Sequence, residues 1–239
     1  MIINQLQQSI AKREPLLAVL LDPEKIKLTA LSALLQAIHN SPATHLFIGG
    51  STDREHSISA LVTALKNSTK LPLILFPGDA NQVVPQADAL LFLSLLSGRN
   101  PSFLIDHHIQ AVPALRKSTL EVIPTGYILI DGGKETAVQR ISQTVPIPQD
   151  QIERIVNTAL AGQYMGKKLI YLEAGSGAQF PVSPPLISAV KSKLSIPLIV
   201  GGGIRTKEQL NQAYGAGADL VVIGTAFEQD PEFFNSIYP

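Results

Sequence analysis

Residues Ile196–Leu210 read IPLIVGGGIRTKEQL, and Gly217–Gln229 read GADLVVIGTAFEQ. In each stretch a short apolar, β-branched run ends on glycine and gives way to a helical pattern. Gly201 to Gly203 close the first run, and Gly224 and Thr225 close the second. Glycine lets the backbone come close to an anion and aim amide hydrogens at it, and a helix starting after Thr225 would add the positive end of its dipole. Such glycines also serve as tight strand-to-helix turns. Two neighbouring strands ending alike favour the anion. A phosphate held after the last two strands is the habit of a (β/α)8, or TIM, barrel, whereas an open doubly wound sheet places its phosphate turn after the first strand. The glycines do not name the compound, because flavin and phosphosugar barrels share them.

The same rhythm runs back to the start of the chain. Eight strands are expected, at Leu16–Asp22, His45–Gly49, Pro72–Phe76, Ala89–Leu95, Glu121–Asp131, Lys168–Ala174, Pro197–Gly202 and Asp219–Gly224. Their near-continuous apolar character suits parallel strands buried on both faces. Helical patterns separate most of them, at Lys25–His39, Arg54–Asn67, Ser102–Lys117, Gln149–Tyr164, Pro184–Lys193 and Lys207–Ala213, the last with Thr206 as its N-cap. Gly78–Asp88, GDANQVVPQAD, is too short and too interrupted by Pro85 for a full helix, so a helix missing or replaced by extended chain is expected there. Gly132–Pro148 reads as a long loop at the functional end of the fifth strand. No internal domain boundary is visible, and residues 1–239 read as one barrel.

Composition narrows the chemistry. The 239 residues carry 19 Lys and Arg against 19 Asp and Glu, and no cysteine. A balanced charge without a basic tract argues against nucleic acid. Without cysteine there is no thiolate metal site and no disulfide, so oxygen and nitrogen groups must do the work. The longest apolar run, Ala87–Leu96, is half of the roughly 20 residues a membrane span requires. The N-terminal sequence lacks the order of a signal peptide, which points to the cytoplasm.

Ile170–Ala178, IYLEAGSGA, holds the second signal. Strand alternation puts Tyr171 and Glu173 on one face and Leu172 on the other, and at a barrel mouth the shared face is the interior. A carboxylate buried there needs partners. It can accept from substrate hydroxyls and take a proton from one, or it can pair structurally with Arg205. Gly175, Ser176 and Gly177 follow as a turn with further donors. Asp22, in LLDPEK, ends the first strand. It reads equally as a ligand at the catalytic face or as a cap before Pro23. Ser51 and Thr52 after the second strand are as ambiguous. A lone carboxylate suits a magnesium ion carried mainly by substrate phosphates and water. His107 and His108 are adjacent on a helix and point apart, which reads as packing rather than a metal pair, and His45 reads as structural.

In order, LLDPEK, FIGGST, LFPGDANQV, GYILIDGG, YLEAGSGA, VGGGIR and VIGTAFE resemble the geranylgeranylglyceryl phosphate synthase family over nearly the whole chain, closest to its branch of larger, often oligomeric members. The resemblance implies transfer of a polyprenyl group, geranylgeranyl by the family's name, from its diphosphate to the 3-hydroxyl of sn-glycerol 1-phosphate, with magnesium and release of diphosphate. It implies magnesium on Asp22 and Ser51. It places glycerol phosphate against Tyr171, Leu172, Glu173, Ala174, Gly175, Ser176, Gly177, Gly202, Gly203, Gly224 and Thr225, with Glu173 and Tyr171 catalytic. It also implies a homo-oligomer, dimer or hexamer. Some members carry a lysine two residues before the metal aspartate, where this chain has Leu20. The prenyl tail requires an apolar groove, for which Leu75, Phe76, Phe92 and Leu96 are candidates. Rival readings on the same barrel are a phosphosugar isomerase or aldolase, a flavoprotein, and a non-catalytic phosphate binder.

Overall fold

Eight parallel strands close into a barrel in sequence order, each hydrogen-bonded to the next and the eighth to the first. The structure is a computed structural model and describes residues 1–50, 57–229 and 233. The strands are β1 (Leu16–Leu21), β2 (His45–Ile48), β3 (Leu73–Leu75), β4 (Ala89–Leu95), β5 (Glu121–Leu129), β6 (Leu169–Glu173), β7 (Leu198–Gly201) and β8 (Leu220–Ile223). Alternation sorts their side chains into two apolar layers. Leu16, Ala18, Phe47, Ile74, Tyr127 and Tyr171 fill the barrel. Leu17, Val19, Leu46, Leu75, Leu172 and Val200 face outward onto the helices.

Helices α2 (Leu31–His39), α3 (Ser57–Lys66), α4 (Asp106–Leu115), α6 (Ile152–Tyr164), α7 (Pro184–Lys191), α8 (Lys207–Gly215) and α9 (Thr225–Gln229) cover that outer layer. The connection from β3 to β4 has no α-helix. It holds only a 3₁₀ turn, Ala80–Gln82, capped by the Asp79 carboxylate on the Asn81 amide at 2.7 Å. Helix α4 lies against this turn.

Three elements differ from the sequence expectation. The helix expected from Lys25 starts only at Leu31. Asp22 closes a single turn, its carbonyl accepting from the Lys25 and Ile26 amides, and the extended backbone of Lys27 ends that turn. The loop expected over Gly132–Pro148 contains a short helix, α5 (Ala137–Ser142), started by the Thr136 hydroxyl on the Gln139 amide and stopped by left-handed Gln143. An unexpected N-terminal helix, α1 (Ile2–Ala11), packs Ile2, Ile3, Leu6 and Ile10 against the inner layer, and its first amides donate to the Glu121 carboxylate at the start of β5. It thereby closes the end of the barrel away from the strand C-termini. Leu6, the buried one of the four, contributes about 1.5–3 kcal/mol before chain ordering is counted.

Candidate active site

The strand C-termini open onto a cavity of about 370 Å³ that has a polar mouth and an apolar arm. Tyr171, Glu173, Gly175, Ser176, Gly177, Gly202, Gly203, Gly224, Thr225 and Asp22 all border it. Leu172 and Ala174 do not. Both are fully buried in the outer layer, as alternation around Tyr171 and Glu173 requires, so their side chains face the helices. Ser51 and Thr52 lie outside the described residues.

Glu173 is 6% exposed and its Oε1 accepts the Gly175 amide at 2.6 Å. Burial pushes its carboxyl pKa up, and the neighbouring Tyr171 hydroxyl and the Gly175 amide partly oppose that. Arg205 does not pair with it. The Arg205 guanidinium donates instead to the Ala178 carbonyl at 2.7 Å. The Tyr171 hydroxyl is buried beside the Glu173 carboxylate, its polar neighbour, and makes no other hydrogen bond among the described residues. Both groups crowd over position 201, where a Cβ would sit 2.4 Å from the Tyr171 hydroxyl and 2.9 Å from Glu173 Oε2. Glycine is therefore dictated there.

The turn after β7 is equally constrained. Gly202 has φ +84°, and a Cβ on it would meet Glu173 Oε1 and the Gly175 nitrogen at 2.5 Å. The backbone of this turn runs bare along the cavity wall, next to Gly224 and the start of α9. Ser176 and Thr225 hydroxyls meet across the mouth at 2.9 Å. This corner is polar and walled by glycine backbone.

Asp22 Oδ1 accepts the Glu24 amide at 3.1 Å inside the turn that follows β1, which leads into no α-helix before Leu31, so it is not the helix cap expected; its carboxylate borders Gly50 on the cavity, with Oδ2 3.3 Å from Lys25 Nζ. Buried Gln82 fixes the neighbouring backbone by donating to the Gly50 carbonyl and accepting from the Gly78 amide. Among the described residues no group of three or more His, Cys, Asp or Glu could hold a metal.

The apolar arm leaves the barrel where the β3–β4 helix is missing. Phe76 and Phe92 line it, as expected; Leu75 and Leu96 do not. Leu75 points outward by alternation, and Leu96 leans over Gly126 and Gly162 towards α6. Val83 and Ala111 also line it. His107 and His108 are packing residues, and they also line the arm. His108 meets Phe92 edge-on at 4.4 Å, and His107 lies 4.9 Å from Phe103. His45 is buried, bonded to the Thr44 hydroxyl at 2.8 Å, and burial lowers its pKa to about 4.

Sequence reading missed Tyr127. Its ring lies 5.4 Å from Tyr171 and 5.8 Å from Phe76, which is itself 5.4 Å from Tyr171. Three aromatic faces thus surround the cavity floor next to Glu173. The motif GYILIDGG contained the signal, since Tyr127 and Leu129 share the inward face of β5.

A family model, the PcrB family, matches residues 8–238. The chain belongs to the PcrB family. A geranylgeranylglyceryl phosphate synthase from Flavobacterium johnsoniae is 53% identical over 98% of this chain and 96% of its own length. One from Zunongwangia profunda is 57% identical over 89% and 91%. Among solved structures, (S)-3-O-geranylgeranylglyceryl phosphate synthase from Thermoplasma acidophilum, crystallised with its substrate sn-glycerol-1-phosphate, superposes with a TM-score of 0.90 at 32% identity, covering 98% of this chain and 95% of that one.

Proposed function

We propose that this PcrB-family chain is a magnesium-dependent prenyltransferase that joins a polyprenyl group, geranylgeranyl by its relatives' names, to the 3-hydroxyl of sn-glycerol 1-phosphate. The observation that carries this reading is the order of surfaces along one cavity. A glycine-lined corner comes first, then Glu173 with the buried Tyr171 hydroxyl beside it, then an apolar arm. A phosphorylated alcohol and an apolar tail thereby meet at a carboxylate.

The chemistry follows from the residues. Backbone amides of Gly202, Gly203, Gly224 and Thr225 anchor the phosphate. Glu173 orients the glycerol hydroxyl and takes its proton as the hydroxyl oxygen bonds to the prenyl C1. The C1–O bond to diphosphate breaks and the diphosphate leaves with the electron pair. Positive character on the allylic carbon is met by the faces of Tyr171, Tyr127 and Phe76. The arm takes the tail, gaining roughly 0.8 kcal/mol per buried methylene.

The donor set fits magnesium in one respect: Asp22 presents a single carboxylate at the mouth, enough for an ion ligated mainly by diphosphate and water, with Ser51 as its expected companion. When bound, the ion would neutralise charge on the leaving diphosphate. An isomerase or aldolase would want a second acid or base opposite Glu173 or a Schiff-base lysine at a strand end, and none of the eight strands contains a lysine. Exposed Ile105, Ile109 and Val112 along α4 support self-association as a dimer or hexamer. Among the described residues no helix is long and apolar enough to cross a membrane. A cytoplasmic site of action belongs to the same proposal.

Product analysis with C10 to C35 prenyl diphosphates and both glycerol phosphate enantiomers, with magnesium and with EDTA, tests the reading. The expected result is a prenyl ether of sn-glycerol 1-phosphate alone, formed only with magnesium. Absence of ether product with every pair would overturn it.

A further inference from the structure

Gln82, in the motif LFPGDANQV, is 1% exposed and does not line the cavity, yet its side chain bridges two loops that do. Oε1 accepts the Gly78 amide at 3.0 Å, after β3, and Nε2 donates to the Gly50 carbonyl at 3.1 Å, after β2. The side-chain amide fits only this way round, because a backbone N–H only donates and a carbonyl only accepts. The loops it joins are already pressed together. The Phe76 amide donates to the Ile48 carbonyl at 2.8 Å, and a Cβ on Gly49 would fall 1.9 Å from the Phe76 carbonyl oxygen. Gly50 in turn backs Asp22, since a Cβ there would meet Asp22 Oδ1 at 2.9 Å. Contact thus runs from Gln82 to Gly50 to Asp22, and of these only Gly50 and Asp22 reach the cavity.

We propose that Gln82 is a positioning residue for the diphosphate end of the prenyl substrate. It fixes the Gly50 peptide, and through it the place of the Asp22 carboxylate. This rests on the prenyl-transfer reading, which puts the diphosphate and its magnesium at Asp22. A barrel strand end is ordinarily steadied by the helix that follows it, and after β3 only a 3₁₀ turn does so. The buried glutamine stands in for that helix by satisfying one backbone donor and one acceptor at once. The same stretch of chain sends Val83 to the arm, so one buried amide ties the wall of the tail groove to the mouth.

Calorimetric titration of the full chain with inorganic pyrophosphate at saturating magnesium tests this without turnover. Gln82→Met keeps the length of the side chain and removes both bonds, and it should weaken binding about tenfold or more. Gln82→Glu keeps the acceptor for Gly78 but turns an oxygen on the Gly50 carbonyl. It should weaken binding as well, and it carries the test if the Met variant does not fold. In an Asp22→Asn background, Gln82→Met should cost less than about a further twofold, because its effect passes through that carboxylate. In turnover, KM for geranylgeranyl diphosphate should rise about tenfold while KM for sn-glycerol 1-phosphate stays within about twofold. Four results would overturn the assignment and leave Gln82 a part of the fold alone: unchanged pyrophosphate affinity in the variants or none in the wild type, the same loss with and without the Asp22 carboxylate, equal rises in both KM values, or failure of both variants to fold. A wild-type chain that binds pyrophosphate but turns over no substrate pair would instead overturn the prenyl-transfer reading beneath it.

Discussion

The β3–β4 and β7–β8 quarters of the barrel are built alike at one end and differ at the other. At the start of β4, Asp88 accepts the Leu73 amide at 2.8 Å and pairs with Lys66 at 2.7 Å. At the start of β8, Asp219 accepts the Leu198 amide at 2.7 Å and pairs with Lys191 at 2.5 Å. Each aspartate clips its strand to the preceding one and to the helix before that. Yet 15 residues separate Leu73 from Asp88, against 21 between Leu198 and Asp219. The longer connection holds α8. The shorter one holds a 3₁₀ turn, and the outward face of β4, including Phe92, is left to the apolar arm. Shortening one connection thus turns a helix-packing surface into an apolar groove, the tail site of the proposed function, while the full connection leaves the glycine corner proposed for phosphate.

Glu173 joins the two sides, so removing its proton-accepting ability should have the largest effect. Glu173→Gln is expected to lower the single-turnover rate about 10²–10⁴-fold while glycerol phosphate affinity changes little. Because burial raises the Glu173 pKa, the acid limb of the wild-type rate profile should lie above the ordinary carboxylate range, with activity lost as pH falls through it. The Gln variant should lack that limb. A near-normal rate would leave Glu173 structural.

The two clips should not be worth the same. Asp219 is 9% exposed on its side chain and Asp88 31%. Asp219→Ala leaves the Leu198 amide and Lys191 without their partner in a buried site, and should cost about 2–3 kcal/mol in chemical denaturation. Asp88→Ala should cost about 1 kcal/mol. Equal losses would show that the two quarters are held by something other than these clips.

The most selective effect is expected in the arm. Ala111 is buried on α4 at the wall of the arm. Ala111→Phe should displace part of a long tail and lower the preference for C20 over C10 prenyl diphosphate about tenfold, since each tail methylene is worth roughly 0.8 kcal/mol. Loss of both substrates alike would place the tail elsewhere.

Much of this was legible in the sequence because it depends on short-range rules. Eight apolar runs, the alternation that turns Tyr171 and Glu173 inward, and the Pro85-broken segment between β3 and β4 all follow from local periodicity. What escaped depends on distant partners. Helix α1 is held by Glu121, 118 residues from Ile3, and no local pattern announces that bond. Tyr127 matters because three strands bring its ring to Tyr171 and Phe76. Arg205 reads in the sequence as one plausible structural partner for Glu173, but the Ala178 carbonyl claims its guanidinium.

The central claim is that phosphate and tail occupy different quarters, with Glu173 between them. A structure with sn-glycerol 1-phosphate bound tests it most directly. The phosphate should lie on the amides of Gly202, Gly203, Gly224 and Thr225, with a glycerol hydroxyl on Glu173. A phosphate seated beside Asp22 and Lys25, or in the arm beside Val83 and Ala111, would contradict the account.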